Sequence, residues 1–194
     1  AKSHMSALAT AAILAQNGIE PILQFTTRDR NRIAIQGDLL GGWAMDIPNI
    51  LCLYGDEVKG GDQPDTKEVR DLDTIGILKT AHDIKTKKMY PSGRKISDAP
   101  EFFIGGADTP FKINNDFNGS NLMKKIEAGV EFFQTQYAFD ENILKNYMLK
   151  LNELHITDKA YFIIGLGIIK SAKSARWMNK NIFGINIPEE IINR

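Results

Sequence analysis

Asn49-Ile50-Leu51-Cys52-Leu53-Tyr54-Gly55-Asp56 is the stretch on which the fold turns. Its apolar residues run unbroken from Ile50 to Leu53, with no alternation between a wet and a dry face. Such a run suits a strand buried on both faces, as in a parallel sheet covered by helices. Gly55-Asp56 then stops the strand and leaves a carboxylate at its carboxyl end.

Working backwards, Arg30 to Met45 carries apolar residues at 33, 35, 39, 40 and 43, a helical spacing despite three glycines. Pro21 to Thr27 reads as a short strand. Ser6 to Gln16 is rich in helix formers and stops at Asn17-Gly18. Forwards, Glu57 to Asp71 reads as a long polar loop, and Asp73 to Ile84 as a helix with Ile75, Ile77, Leu78 and Ala81 on its apolar side. Lys85 to Ala99 is basic, with a Pro-Ser-Gly turn at 91–93, and reads as a solvated loop or an anion-attracting one. Strands follow at Phe102–Gly106, Glu131–Gln136 and Tyr161–Ile168. Helices are predicted at Ser120–Gly129, Asp140–Leu154 with Asp140 as N-cap, and Ala172–Asn179. Pro188 opens a last helix, at the first position that proline prefers.

Five strands, each followed by a helix, predict an all-parallel α/β fold. A doubly wound open sheet and a β/α barrel of the TIM type compete. No G-x-G-x-x-G follows an early strand, against a dinucleotide-binding open sheet. Thr26-Thr27, Gly55-Asp56 and Thr135-Gln136 instead put polar groups at carboxyl strand ends, as a barrel active site requires. A (β/α)8 barrel takes about 250 residues, and the chain has 194 with five β/α units visible, so either the sheet is open or part of a barrel is missing.

Charge and composition narrow the function. Twenty-four basic residues balance twenty-four acidic ones, so no bulk electrostatic case exists for nucleic acid or an anionic membrane as partner. With 43% hydrophobic and 25% charged residues the chain reads as globular. The single cysteine, Cys52, excludes an internal disulfide and a thiolate metal cluster. No stretch approaches a membrane span and no leader pattern opens the chain, so a cytoplasmic protein is expected. His4, His82 and His155 are scattered and make neither a metal spacing nor a triad, so no metal site is expected.

Several residues can carry chemistry. Asp56, behind Gly55, can stabilise a cation or accept a proton at the mouth of a site, or simply order its loop. Gln136 can meet a heterocycle edge with both donor and acceptor, or tie neighbouring loops together. Lys124 and Lys125, read near the start of their helix, can meet a phosphate together with free helix N–H groups, or sit solvated. Gly105-Gly106-Ala107, read at a strand end, leaves room for a flat ring or phosphate, or makes a plain turn. Thr26 to Asn31 gathers hydroxyls and charges at another strand end.

The strings themselves point further. Thr27-Arg28-Asp29-Arg30-Asn31, Asn49 to Asp56, Gly61-Asp62-Gln63-Pro64 and Val69-Arg70-Asp71-Leu72-Asp73 resemble the methylenetetrahydrofolate reductase family. Lys125-Ile126-Glu127-Ala128-Gly129, Gln134 to Asp140 and Lys170-Ser171-Ala172 continue the resemblance in the same order across nearly the whole chain. It is closest to the type associated with a homocysteine S-methyltransferase.

The resemblance implies one incomplete, flavin-bearing (β/α)8 barrel domain over 1–194 that reduces 5,10-methylenetetrahydrofolate to 5-methyltetrahydrofolate, with FAD as cofactor and NADH or NADPH as co-substrate. It implies Asp56 beside flavin and folate, its charge facing the iminium form of the one-carbon unit, and Gln136 in contact with folate and nicotinamide. Gln24, Tyr54, Gly55, Asp56, Asp71, Ala107 and Lys125 fall at cofactor-contact positions. Gln24 stands where the family commonly has histidine, and Ile169 where it usually has proline. Against the family pattern the first two strands, with a catalytic glutamate, and the last strand are missing. A homo-oligomer or a partner chain is therefore expected to complete the barrel, because unpaired parallel edges are a solubility hazard. The alternative is a folate-binding or one-carbon-transfer relative that has lost flavin reductase activity.

Overall fold

A computed structural model describes residues 2–193. The chain divides into two compact units: one holds the chain as far as Gly106 together with Lys124–Glu131, the other Ala107–Met123 and the chain from Phe132 onward.

The first unit contains α1 (Ala7–Gln16), β1 (Ile22–Thr26), α2 (Arg32–Ala44), β2 (Asn49–Leu53), a 3-10 turn at Val58–Gly60 and α3 (Thr74–Lys87). It also holds most of β3 (Phe103–Asp108) and the end of α4 (Ser120–Glu127). β1 pairs with β2 and β2 with β3, both in parallel, with Phe25 opposite Cys52 and Cys52 opposite Gly106. Leu23, Phe25, Ile50, Leu51, Cys52 and Ile104 are all buried, so the apolar run at 50–53 does occupy a two-sided strand. Ile35 and Leu39 of α2 and Ile77, Leu78, Ala81 and Ile84 of α3 supply the helical side of this core. α2 approaches the sheet closely at Gly42, where an added Cβ would lie 3.1 Å from Leu23 Cδ2.

The caps are those expected of short polar side chains. Asn31 accepts from the Ile33 and Ala34 N–H groups at the head of α2, and Asp73 from the Gly76 N–H at the head of α3. The basic stretch after α3 is less irregular than its composition predicts. α3 runs on to Lys87, and Met89 and Lys95 form an antiparallel bridge around the turn. Lys85 binds both oxygens of Glu131, at 2.7 and 2.8 Å, and Lys87 pairs with Asp83, so two of its cations are already engaged.

The second unit contains the end of β3, the start of α4, β4 (Phe132–Tyr137), α5 (Glu141–Glu153), β5 (Tyr161–Gly165), α6 (Ala172–Asn181) and α7 (Glu189–Ile192). β4 and β5 are parallel, with a register shift between Gln134 and Tyr137. Asp140 caps α5 as predicted, and Ser171 with Ser174 forms a capping box on α6. Ala175, Ile185, Ile187 and Ile192 form a core beneath α6 and α7. β5 leaves Ile163 exposed, and Leu166 and Ile168 beyond it are 76% and 92% exposed.

The observed fold is the α/β alternation predicted, with every strand pairing in these two units parallel, consistent with an incomplete β/α barrel. Boundaries differ where glycine or proline misled. β3 continues to Asp108, so Gly105 and Gly106 lie within the strand rather than at its end. β5 stops at Gly165, three residues before Ile168. Pro188 is the N-cap of α7, not its first helical residue. Lys124 and Lys125 lie in the last turn of α4, so the helix N–H groups cannot join them around a phosphate.

Candidate functional site

In the first unit the site grows from the ends of β1 and β2. Buried Thr27 continues the ladder, its N–H donating to Leu53 O at 3.2 Å and its hydroxyl to Tyr54 O at 3.2 Å. The chain then turns at Gly55, whose φ of +87° lies in the left-handed region. An added Cβ there would stand 3.1 Å from the Cβ atoms of both Arg28 and Thr26. Glycine is required at this point both by backbone angle and by space.

Asp56, next in line, is exposed. Its backbone is nonetheless held, because Arg28 Nη1 donates to Asp56 O at 3.2 Å. Arg28 is itself fixed by a two-pronged bond to Asp29, at 2.7 Å on each prong. Asp29 chiefly, with the charge of Asp56 adding to it, holds the Arg28 guanidinium above its ordinary pKa.

The polar segment after the 3-10 turn folds back on this turn. Val69 N donates to Arg28 O at 2.7 Å and Arg70 N to Thr27 O at 3.2 Å. Arg70 directs its guanidinium onto Tyr54 O at 3.1 Å and onto Gly55 O from both Nη atoms at 3.2 Å. The same group lies 3.9 Å above the Tyr54 ring centroid and is ion-paired to Glu68. Glu68 also accepts from the Val58 N–H at 2.9 Å. Arg70 first, then that N–H, hold the Glu68 carboxyl down to about 2.

Gln24 is exposed in the middle of β1 and, with Thr26, Arg28, Arg30, Asp62 and Gln63, lines an open cleft of about 560 Å³. Asp71 is committed to Arg32, accepting from its backbone N–H at 2.9 Å and from Nε and Nη2 at 2.8 Å. That pairing lowers the Asp71 carboxyl to about 2. Lys125 is half-buried in the last turn of α4.

In the second unit Ala107 is the penultimate residue of β3 and half-buried. Asp108 after it accepts from the Tyr147 hydroxyl, 3.0 Å from each carboxylate oxygen. Tyr147 is buried among Phe111 and Phe117, and that burial, with Asp108 second, pushes its hydroxyl pKa up. Gln136 sits beside buried Thr135, whose hydroxyl accepts from Gly165 N at 2.9 Å. The Gln136 amide donates to Phe183 O at 3.1 Å and accepts from Tyr137 N at 3.0 Å. It therefore ties β4 to the loop before Gly184, and one N–H and one acceptor position remain for a ligand.

Of the residues singled out from the sequence, the structure gathers Tyr54, Gly55 and Asp56 in one fixed turn, with Gln24 in the cleft that Arg28 also lines. Gln136 and Ala107 belong to the second unit. Sequence reasoning passed over Arg70 and Glu68, which hold the turn, and the Asp108–Tyr147 pair. Arginine bound to backbone carbonyls has no spacing rule; its only trace here is Glu68 two residues earlier in a polar stretch.

A model of the methylenetetrahydrofolate reductase family matches residues 1–194. The chain belongs to that family. No curated protein matches it closely enough to count as a relative. Membership of the methylenetetrahydrofolate reductase family makes the chain an oxidoreductase-type protein of one-carbon metabolism, with folate reduction as its general chemistry. Among the described residues no helix is long and apolar enough to cross a membrane, and no group of three His, Cys, Asp or Glu side chains is placed to hold a metal ion.

Proposed function

We propose that this chain reduces 5,10-methylenetetrahydrofolate to 5-methyltetrahydrofolate, with FAD as cofactor and NADH or NADPH as co-substrate. One observation carries the reading. A chain matched to the reductase family along its length presents an exposed Asp56 carboxylate from a rigid strand-end turn.

On this reading the open cleft of the first unit takes the polar part of the dinucleotide, and Gln24 is the proposed flavin residue that lines it. The cleft, about 560 Å³, is of the size usual for cofactor sites, roughly 300–1,000 Å³. Gln24, Thr26 and Arg28 line it with amide, hydroxyl and guanidinium groups. On this reading Gln24, Tyr54, Gly55, Asp56, Asp71 and Lys125 of the first unit hold the flavin. Asp71 does so through the loop it pins to α2, because Arg32 occupies its carboxylate. The flavin, when bound, supplies a hydride carrier between nicotinamide and folate.

The protein's own contribution is electrostatic and positional. Asp56 places a negative charge, carried on a held backbone, where the one-carbon unit is cationic, and a charge whose support is already in place costs less reorganisation during the reaction. Gln136 offers its remaining N–H and acceptor position to the folate heterocycle. Exposed Ile163, Leu166 and Ile168 offer apolar surface at and beyond the end of β5 to a second copy or a partner chain. A cytoplasmic setting accords with this chemistry.

The test is the visible spectrum of the purified protein together with its folate-dependent oxidation of NADH or NADPH. Flavin at stoichiometry and turnover are expected. Folate binding with no flavin points to the relative that has lost reductase activity, and overturns the proposal. Binding of neither ligand overturns it as well.

A further inference from the structure

We infer that Arg70 is a positioning residue for Asp56, holding the backbone from which its carboxylate is presented. The inference rests on the proposed reductase reading.

Two peptide groups flank the Asp56 Cα. A peptide group is planar, so a hydrogen bond on its carbonyl oxygen restrains the swing of the whole unit. The group before Asp56 ends in Gly55 O, held by both Nη atoms of Arg70 at 3.2 Å. The group after it ends in Asp56 O, held by Arg28 Nη1 at 3.2 Å. With both planes tethered, φ and ψ of Asp56 are restricted, and its side-chain torsions are what is left to turn freely. Arg70 also takes Tyr54 O at 3.1 Å, so the last two carbonyls before the carboxylate share one guanidinium.

Three features separate this clamp from an ordinary surface ion pair. The Arg70 side chain is only 14% exposed. Its backbone φ of +42° is in the left-handed region, a strained conformation that a non-glycine residue keeps only where its surroundings enforce it. Its guanidinium is fixed from further sides by Glu68 and by the Tyr54 ring 3.9 Å away. Only a planar fork can reach two carbonyls, a carboxylate and a ring face together; the ammonium of lysine is a point charge.

Arg70→Ala, Arg70→Lys and Asp56→Asn, each loaded with flavin, test the idea through kcat, KM for folate, folate affinity by titration calorimetry, and rescue by added guanidinium chloride. A misplaced catalytic group costs about 100-fold. We expect kcat of Arg70→Ala to fall by that order, with KM and folate affinity changed much less. Millimolar guanidinium should restore much of the loss in Arg70→Ala and none in Asp56→Asn, and Arg70→Lys should stay impaired although its charge is kept. Full kcat in either Arg70 variant overturns the inference, as does a loss in Arg70→Ala that guanidinium leaves untouched. If Arg70→Ala does not fold, kcat of Arg70→Lys decides alone. Absence of folate-dependent turnover in the unsubstituted protein strikes instead at the reductase reading.

Discussion

The Gln136 side-chain amide is spanned between two backbone groups, donating to Phe183 O at 3.1 Å and accepting from the Tyr137 N–H at 3.0 Å. Of the two roles open from the sequence, these bonds make the loop tie, and the substrate contact belongs to the proposed function. Gln136→Ala removes both at once. The lost tie should lower stability by about 1 kcal/mol, the usual net worth of such a bond, and folate affinity should fall with it. Urea unfolding and a folate titration separate the two. A stability loss with folate affinity unchanged would leave Gln136 as a structural tie alone.

Asp56→Asn removes a charge and almost no volume. Because the side chain is exposed, stability should stay within about 0.5 kcal/mol of the parent. Flavin content should be kept, while folate reduction should drop on the order of 100-fold or more, the usual cost of losing one preorganised electrostatic group. Turnover per bound flavin is the measurement. An undiminished rate would remove the electrostatic role.

Gly55→Ala attacks the same carboxylate through the backbone. Its φ of +87° disfavours alanine, and the new methyl would stand 3.1 Å from the Cβ atoms of Arg28 and Thr26. Neither neighbour is a flexible side-chain tip, so the turn itself must move. The expected cost is roughly 1–3 kcal/mol, with turnover falling further than in a distant variant of equal instability. Thermal melting and kcat, compared with a buried-core variant such as Ile77→Val, give the readout.

What could be seen beforehand divides along physical lines. The unbroken run Ile50–Leu53 and the cap at Asp140 act over a few residues, so periodicity and cap chemistry located β2 and α5 closely. Asp56 and Gln136 stood out because polar groups at strand ends break a pattern. Arg70 broke none. Its partners are carbonyls fifteen and sixteen residues earlier, brought near by a left-handed backbone that no side-chain spacing announces. The same holds for Tyr147, which reads as one more apolar residue of the α5 stripe until Asp108, thirty-nine residues away, is seen on its hydroxyl. Long-range bonds to backbone and to the ends of other strands are where pattern reading stopped.

Acid should loosen the clamp around Asp56 in a defined window. Arg70 holds the Glu68 carboxyl at about 2, against an ordinary 4.5, and Arg32 holds Asp71 at about 2, against 3.8. Both values are lowered in the folded protein. Each pair therefore contributes stability that is complete above the ordinary value and is lost as pH falls from there through about 2. Both side chains are partly open to solvent, 25% and 29% exposed, so salt should weaken the effect. Melting temperature between pH 5 and pH 2 should fall more steeply in the parent than in Glu68→Gln, whose neutral amide can still accept from the Val58 N–H but has no proton to gain. Identical slopes for the two proteins would mean that Glu68 contributes nothing through its charge, and that the Arg70 guanidinium is kept in place by Tyr54 and the carbonyls alone.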